Sequence, residues 1–222
     1  GDTYRFDFER FDRFVTMALE LGYDRLEGGH VASKKNKNDG PQKDLDDPHL
    51  WTNIPGTGGE ITRPQVRFDE EEGRRFIDAF IPALRDHLVE KGWADIYLQH
   101  LADEPFEAVA EHFVRATDHL RSLWSEIRLV DAASGHAAGL ALDIPVPEID
   151  YLEPYRHFYE RLLGEGKEVW FYTCCCPIGP WPNRFLDFHL NKGSLLPWFN
   201  FPYGTDGFLH WGAAQWSKDQ DV

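Results

Sequence analysis

Cysteine is scarce in this sequence and odd in number: its three copies fall at the consecutive positions Cys174, Cys175 and Cys176. An odd count cannot pair completely within one chain. No stretch approaches the roughly 18 consecutive apolar residues of a membrane-spanning helix. Positive charge is also short. Against 38 acidic residues stand 23 basic ones, giving a net charge of -15, and such a field repels polyphosphates and anionic headgroups. A nucleic-acid partner and a membrane span are therefore not expected. The sequence has no phosphate-binding loop, no dinucleotide fingerprint and no Gly-x-Ser-x-Gly elbow. No cofactor is expected. Methionine occurs once, at Met17, and the opening Gly1-Asp2-Thr3-Tyr4 lacks the regions of a signal peptide. The chain reads as a piece of something longer, which leaves its compartment open.

Hydrophobic residues make up 42% of the 222 positions, enough for a globular core and, by length, for a single domain. Aromatic residues are abundant at 14%. They crowd into the last quarter, from Trp170, Phe171 and Tyr172 to Trp211 and Trp216, more densely than a plain core requires.

Helices and strands alternate. Phe11, Phe14, Val15, Ala18 and Leu19 have helical spacing over residues 9 to 21, and Tyr23 to His30 reads as a strand. Residues 33 to 67 have the composition of a long polar loop. Asp69 and Glu72 form a capping pair before a helical stripe from Phe76 to Leu88, with Pro82 inside it. Further strands are expected at Asp95 to Ala102, Ile127 to Ala132, Ile149 to Leu152, Glu168 to Cys174 and Gly207 to Gly212. Helices are expected from Phe106 to Trp124 and from Tyr155 to Leu163, with an amphipathic stretch from Arg184 to Leu196. This is the parallel α/β pattern. Polar or aromatic residues follow nearly every strand (His30, Asp103-Glu104, Asp131, Glu153, Cys174 to Pro177, Trp211), which favours a barrel over a doubly wound sheet, because barrel active sites gather at strand carboxyl ends.

Asp103-Glu104-Pro105 is the sharpest chemical signal. At a strand's end, where the backbone turns, two adjacent carboxyls can reach one cavity and divide acid and anion roles. Either acid could equally cap the following helix. His30, His100 and His210 fall near strand ends and could be imagined with Asp103 around a metal, but His100-x-x-Asp103 is no recognised ligand pair, and no metal is expected. On an extended strand Cys174 and Cys176 would share a face opposite Cys175; small buried thiols are the default reading. Aromatic rings with polar tips beside acids suit the faces and hydroxyls of a sugar.

Four motifs complete the reading: His100-Leu101-Ala102-Asp103-Glu104-Pro105, Trp170 to Cys175, Trp181-Pro182-Asn183-Arg184-Phe185-Leu186-Asp187, and Leu196 to Phe201 with Gly207 to Gly212. Together, over about Phe6 to Trp216, they resemble the catalytic domain of glycoside hydrolase family 123. The resemblance implies a (β/α)8 TIM-type barrel, here its last six units over residues 1–216, with a tail at 217–222. It implies a glycan or glycolipid as substrate and release of β-linked N-acetylgalactosamine with retention, the substrate's 2-acetamido group acting as nucleophile. Glu104 is then the general acid/base, and Asp103 orients the acetamide. His30, His100, Trp170, Tyr172, Trp181, Asn183, Arg184, Trp198, Asn200, Tyr203, His210 and Trp211 are the expected sugar contacts. Two alternatives accompany it: a sugar-binding fragment without catalysis, and a metal-dependent barrel hydrolase.

Overall fold

A computed structural model describes residues 4–34, 48–54, 65–105 and 107–210. The chain divides into two compact units, Gly1–Asp143 and Ile144–Val222.

The first unit opens with α1 (Glu9–Glu20), whose Val15 and Ala18 turn inward. Strand β1 (Leu26–Glu27) pairs in parallel with β5 (Tyr97–Leu98). Gln99 extends the ladder by a single parallel bridge to Leu129, just ahead of β6 (Val130–Ala132). Between β1 and β5 lies a correction to the expected loop: β2 (Ser33–Lys34), β3 (Leu50–Asn53) and β4 (Gln65–Arg67) form an antiparallel sheet. Leu50 and Thr52 face inward while Trp51 and Asn53 do not. Strands this short leave no long apolar run to read. Residues 35–47 and 55–64 of that segment lie outside the described residues.

Helix α2 (Glu71–Lys91) carries Ile77, Ile81, Leu84 and Leu88 on its buried face and ends on Gly92 at φ 71°, a left-handed cap that suits glycine. The expected Asp69/Glu72 capping pair does not form. Glu70 occupies the cap without a side-chain bond, because the Asp69 carboxylate is taken by the Arg67 guanidinium at 3.2 and 3.1 Å. A short 3-10 turn precedes α3 (Ala110–Leu123), and α4 (His136–Ala141) follows β6. Phe106 lies outside the described residues. One core joins α1, α2, α3 and the strands, with Leu101, Phe113, Leu120 and Leu129 at 0% exposure.

The second unit has β7 (Ile144–Val146), α5 (Arg156–Gly164), β8 (Trp170–Tyr172), α6 (Leu190–Leu195), α7 (Asn200–Tyr203) and β9 (Gly207–Leu209). Strands β8 and β9 pair in parallel, Phe171 opposite Phe208. The strand expected at Ile149 to Leu152 is instead a 3-10 turn over Ile149–Tyr151. Its core gathers Ile149, Leu152, Tyr159, Leu162, Val169, Phe171 and Leu196.

The architecture is thus mixed α/β with short strands. The incomplete barrel expected from the sequence, six of eight β/α units, is not borne out among the described residues, whose sheets are small and not closed. Their strands run two to four residues, so pairing breaks into small sheets and single bridges such as Gln99 with Leu129 and Glu148 with Tyr172.

Leu88 is fully buried in the first core, and removing its side chain deletes both transfer energy and packing. Leu88→Ala should cost about 2–5 kcal/mol in urea unfolding. A loss below about 1 kcal/mol would contradict its place in that core.

Candidate active site

Three parallel segments deliver polar groups to one end of the first unit. Glu27 closes β1, His100 to Glu104 follow β5, and Asp131 lies in β6. Asp131 is the hub. It is at 0% exposure, and a buried carboxylate must be compensated by donors. Its Oδ2 accepts the backbone N–H groups of Leu101 at 2.8 Å and Ala102 at 3.0 Å. Its Oδ1 lies 2.9 Å from Nδ1 of His100 and 3.4 Å from Nε2 of His30. His100 reaches from its other nitrogen to Glu27 at 3.4 Å.

The His100 imidazole is pushed up to about 9: burial opposes the charged ring, but hydrogen bonds and charge from Asp131 and Glu27 outweigh it. At neutral pH it is an imidazolium with both nitrogens donating. His30, His100 and Asp131 converge, and Asp131 and Glu27 hold the His100 ring between them in an ion-paired hydrogen-bond network. Beneath them, Gln99 donates from Nε2 to the Gly29 and His100 carbonyls, both at 2.7 Å. Tyr97, its phenol pushed up by burial, donates to Gln99 Oε1 at 2.9 Å. Gly28 packs on that phenol, and a Cβ there would fall 1.8 Å from the Tyr97 oxygen.

Asp131 therefore pins the two peptide units directly before Asp103 and Glu104. Glu104 itself has φ 46°, a left-handed conformation that costs a non-glycine residue energy and persists where surroundings impose it. One such constraint is visible. Lys34, buried in β2, donates from Nζ to the Glu104 carbonyl at 2.7 Å. Asp103 is exposed and Glu104 half-buried. A cavity of 660 Å³ opens beside this network, lined by Glu27, Gly29, His30, Gln99 and an aromatic wall that includes Phe6 and Phe80. Asp103 and Glu104 are not among its lining residues. Asp131, Glu27, Gln99 and Lys34 were not expected as site residues. The signal for Asp131 was a lone acid inside the apolar run Leu129 to Ala133.

The remaining expected residues belong to the second unit. Trp198 is 64% exposed, and His210 is exposed. Tyr172 is buried, while Trp181 and Tyr203 pack on the second core. Trp170 donates its indole N–H to Glu168 at 3.3 Å. The Tyr203 hydroxyl donates to Glu153 at 3.0 Å, and Arg156 lies 4.7 Å over its ring. Asn200 accepts from Thr205 at 2.7 Å, and Arg184 sits 5.2 Å over the Phe208 ring. Asn183 is buried, with its amide nitrogen bonded to the Cys174, Cys176 and Pro177 carbonyls and its oxygen to the Arg184 N–H. Trp211 lies outside the described residues.

The model of the glycoside hydrolase 123 catalytic domain matches residues 1–222. The chain belongs to the glycoside hydrolase 123 family. Among solved structures, a family 123 glycoside hydrolase from Clostridium perfringens, studied for the details of glycolipid glycan hydrolysis, superposes with TM-score 0.65 at 16% identity. That match covers 94% of this chain and 36% of the other, so this family 123 chain spans about a third of its relative's length. A GH10 xylanase from Thermobacillus composti aligns with TM-score 0.49 and 13% identity over 98% of this chain and 73% of its own. No curated protein matches the sequence.

The raised His100 has a pH signature. Its contribution to stability is fully present below the unfolded value of about 6.5 and is lost as pH rises through about 9. The thermal midpoint of the wild type should fall across that window, and His100→Gln should flatten the fall. Equal slopes in the two proteins would contradict the imidazolium assignment.

Proposed function

We propose that this chain carries the acid/base machinery of a retaining glycosidase that releases β-linked N-acetylgalactosamine from a glycan or glycolipid. The observation that carries the reading is the placement of two neighbouring carboxyl side chains, Asp103 and Glu104, directly after peptides anchored on a buried aspartate. Adjacent acids cannot flank a glycosidic bond as the pair in a covalent retaining mechanism must, at about 5 Å on opposite sides. They do suit participation by the substrate's own acetamide.

In that mechanism the acetamide carbonyl oxygen attacks the anomeric carbon as the glycosidic oxygen departs with the Glu104 proton. Asp103 accepts the acetamide N–H and stabilises the positive oxazolinium ring. A water deprotonated by the Glu104 carboxylate then attacks the anomeric carbon and reopens the ring, restoring the acetamide. The left-handed Glu104 fits such a role, since strained backbone clusters where function over-determines geometry.

Glu104→Gln should lower turnover of N-acetyl-β-galactosaminides with poor leaving groups by about 10²–10⁴-fold, and by much less for aryl substrates whose leaving groups need no proton. Equal losses on both would remove Glu104 from the acid role. A thiazoline analogue of the cyclic intermediate should inhibit tightly, and Asp103→Asn should weaken that inhibition because the anionic partner of the ring nitrogen is gone. A covalent glycosyl adduct trapped on either carboxylate would overturn substrate assistance.

A further inference from the structure

The three cysteines depart from strand geometry. Strand β8 ends at Tyr172, and the chain folds back at once, with the Cys174 N–H donating to the Cys176 carbonyl at 2.8 Å. The buried Asn183 amide holds the turn, bonding the carbonyls of Cys174 at 3.2 Å, Cys176 at 3.1 Å and Pro177 at 3.1 Å. In this turn the thiols gather together instead of alternating. Cys174 Sγ is 3.9 Å from Cys175 Sγ and 3.4 Å from Cys176 Sγ, and the three sulfurs lie within 4.8 Å of one another. Cys175 is exposed and the other two are half-buried, so a solute reaches them.

We propose that Cys174, Cys175 and Cys176 form a three-thiolate site for one soft metal ion of the zinc(II) or copper(I) class, with its remaining coordination open to solvent. Thiolates select ions of this softness. At a Zn–S bond of about 2.3 Å, tetrahedral sulfurs stand about 3.8 Å apart; the two separations from Cys174, 3.9 and 3.4 Å, bracket that value, and all three sulfurs lie within 4.8 Å. Ligation needs no oxidant: three S–H bonds break, each sulfur gives its electron pair to the metal, and three protons leave. Because ligation releases protons, binding must strengthen as pH rises.

Two other clusters converge as closely, His30 with His100 and Asp131, and His49 with Asp69 and His112. In both, the carboxylate is already engaged: Asp131 accepts the Leu101 and Ala102 amides and pairs with His100 in the first, and Arg67 forks onto Asp69 in the second.

The test titrates the reduced chain without oxygen, with Zn²⁺ in one arm and Cu⁺ in the other, following free thiols with a chromogenic disulfide. One equivalent of at least one ion should protect all three thiols, with affinity rising from pH 6 to pH 8. Cys175→Ser, at an exposed position that does not burden folding, should weaken binding by at least about 100-fold, beyond what loss of a supporting residue costs. His112→Ala should leave it unchanged. Protection by zinc alone or by copper alone supports the site and names its ion. Uptake of neither ion, uptake undiminished in Cys175→Ser, or uptake lost in His112→Ala would overturn the proposal.

Discussion

The Asp131 carboxylate, at 0% exposure, is the constraint on which the candidate site depends. Its desolvation is tolerable only because charge and hydrogen bonds meet it on both oxygens. That requirement reaches outward. The His100 ring must be protonated and held by Glu27 on its far side, Gln99 must hold the His100 carbonyl, and the Leu101 and Ala102 amides must point inward. The direction in which the chain leaves the strand toward Asp103 and Glu104 follows from those commitments. Lys34 then adds a hold from β2 on the Glu104 carbonyl, so elements 70 residues apart in sequence fix one dipeptide.

Much of the helical part was legible because long amphipathic stripes repeat with the helical period: α1, α2, α3 and α5 lie where Phe11 to Leu19, Phe76 to Leu88, Phe113 to Leu120 and Tyr155 to Leu163 place them. Strands were less so. A two-residue strand such as Ser33–Lys34 has no periodicity, and Ile149 to Leu152, apolar at both ends, buries Ile149 and Leu152 from a 3-10 turn as fully as a strand would. Asp103-Glu104 stood out as a pair. Asp131 did not: its one local signal is that it is a lone acid in the apolar run Leu129 to Ala133, and the partners that compensate it lie about 30 residues away at His100 to Ala102.

The aromatic excess divides in a way composition could not reveal. Phe171, Trp181, Phe199, Tyr203 and Phe208 go to the core of the second unit, whereas Trp198 and Phe201 stand exposed with their rings 5.7 Å apart. Asn183, which resemblance placed among the sugar contacts, has its amide engaged within the cysteine turn. The gathering of the three thiols was equally invisible, since an extended strand separates neighbours onto opposite faces and only the turn after β8 brings them together.

Residue-resolved amide hydrogen exchange tests the central claim most directly, comparing the wild type with Asp131→Asn. If the buried carboxylate anchors the segment that carries Asp103 and Glu104, the Leu101 and Ala102 amides are slow in the wild type and become fast in the variant. The amides of α2 around Ile81 keep their protection, because local opening need not involve the distant core. Unchanged protection at Leu101 and Ala102, with the variant folded, would contradict the account.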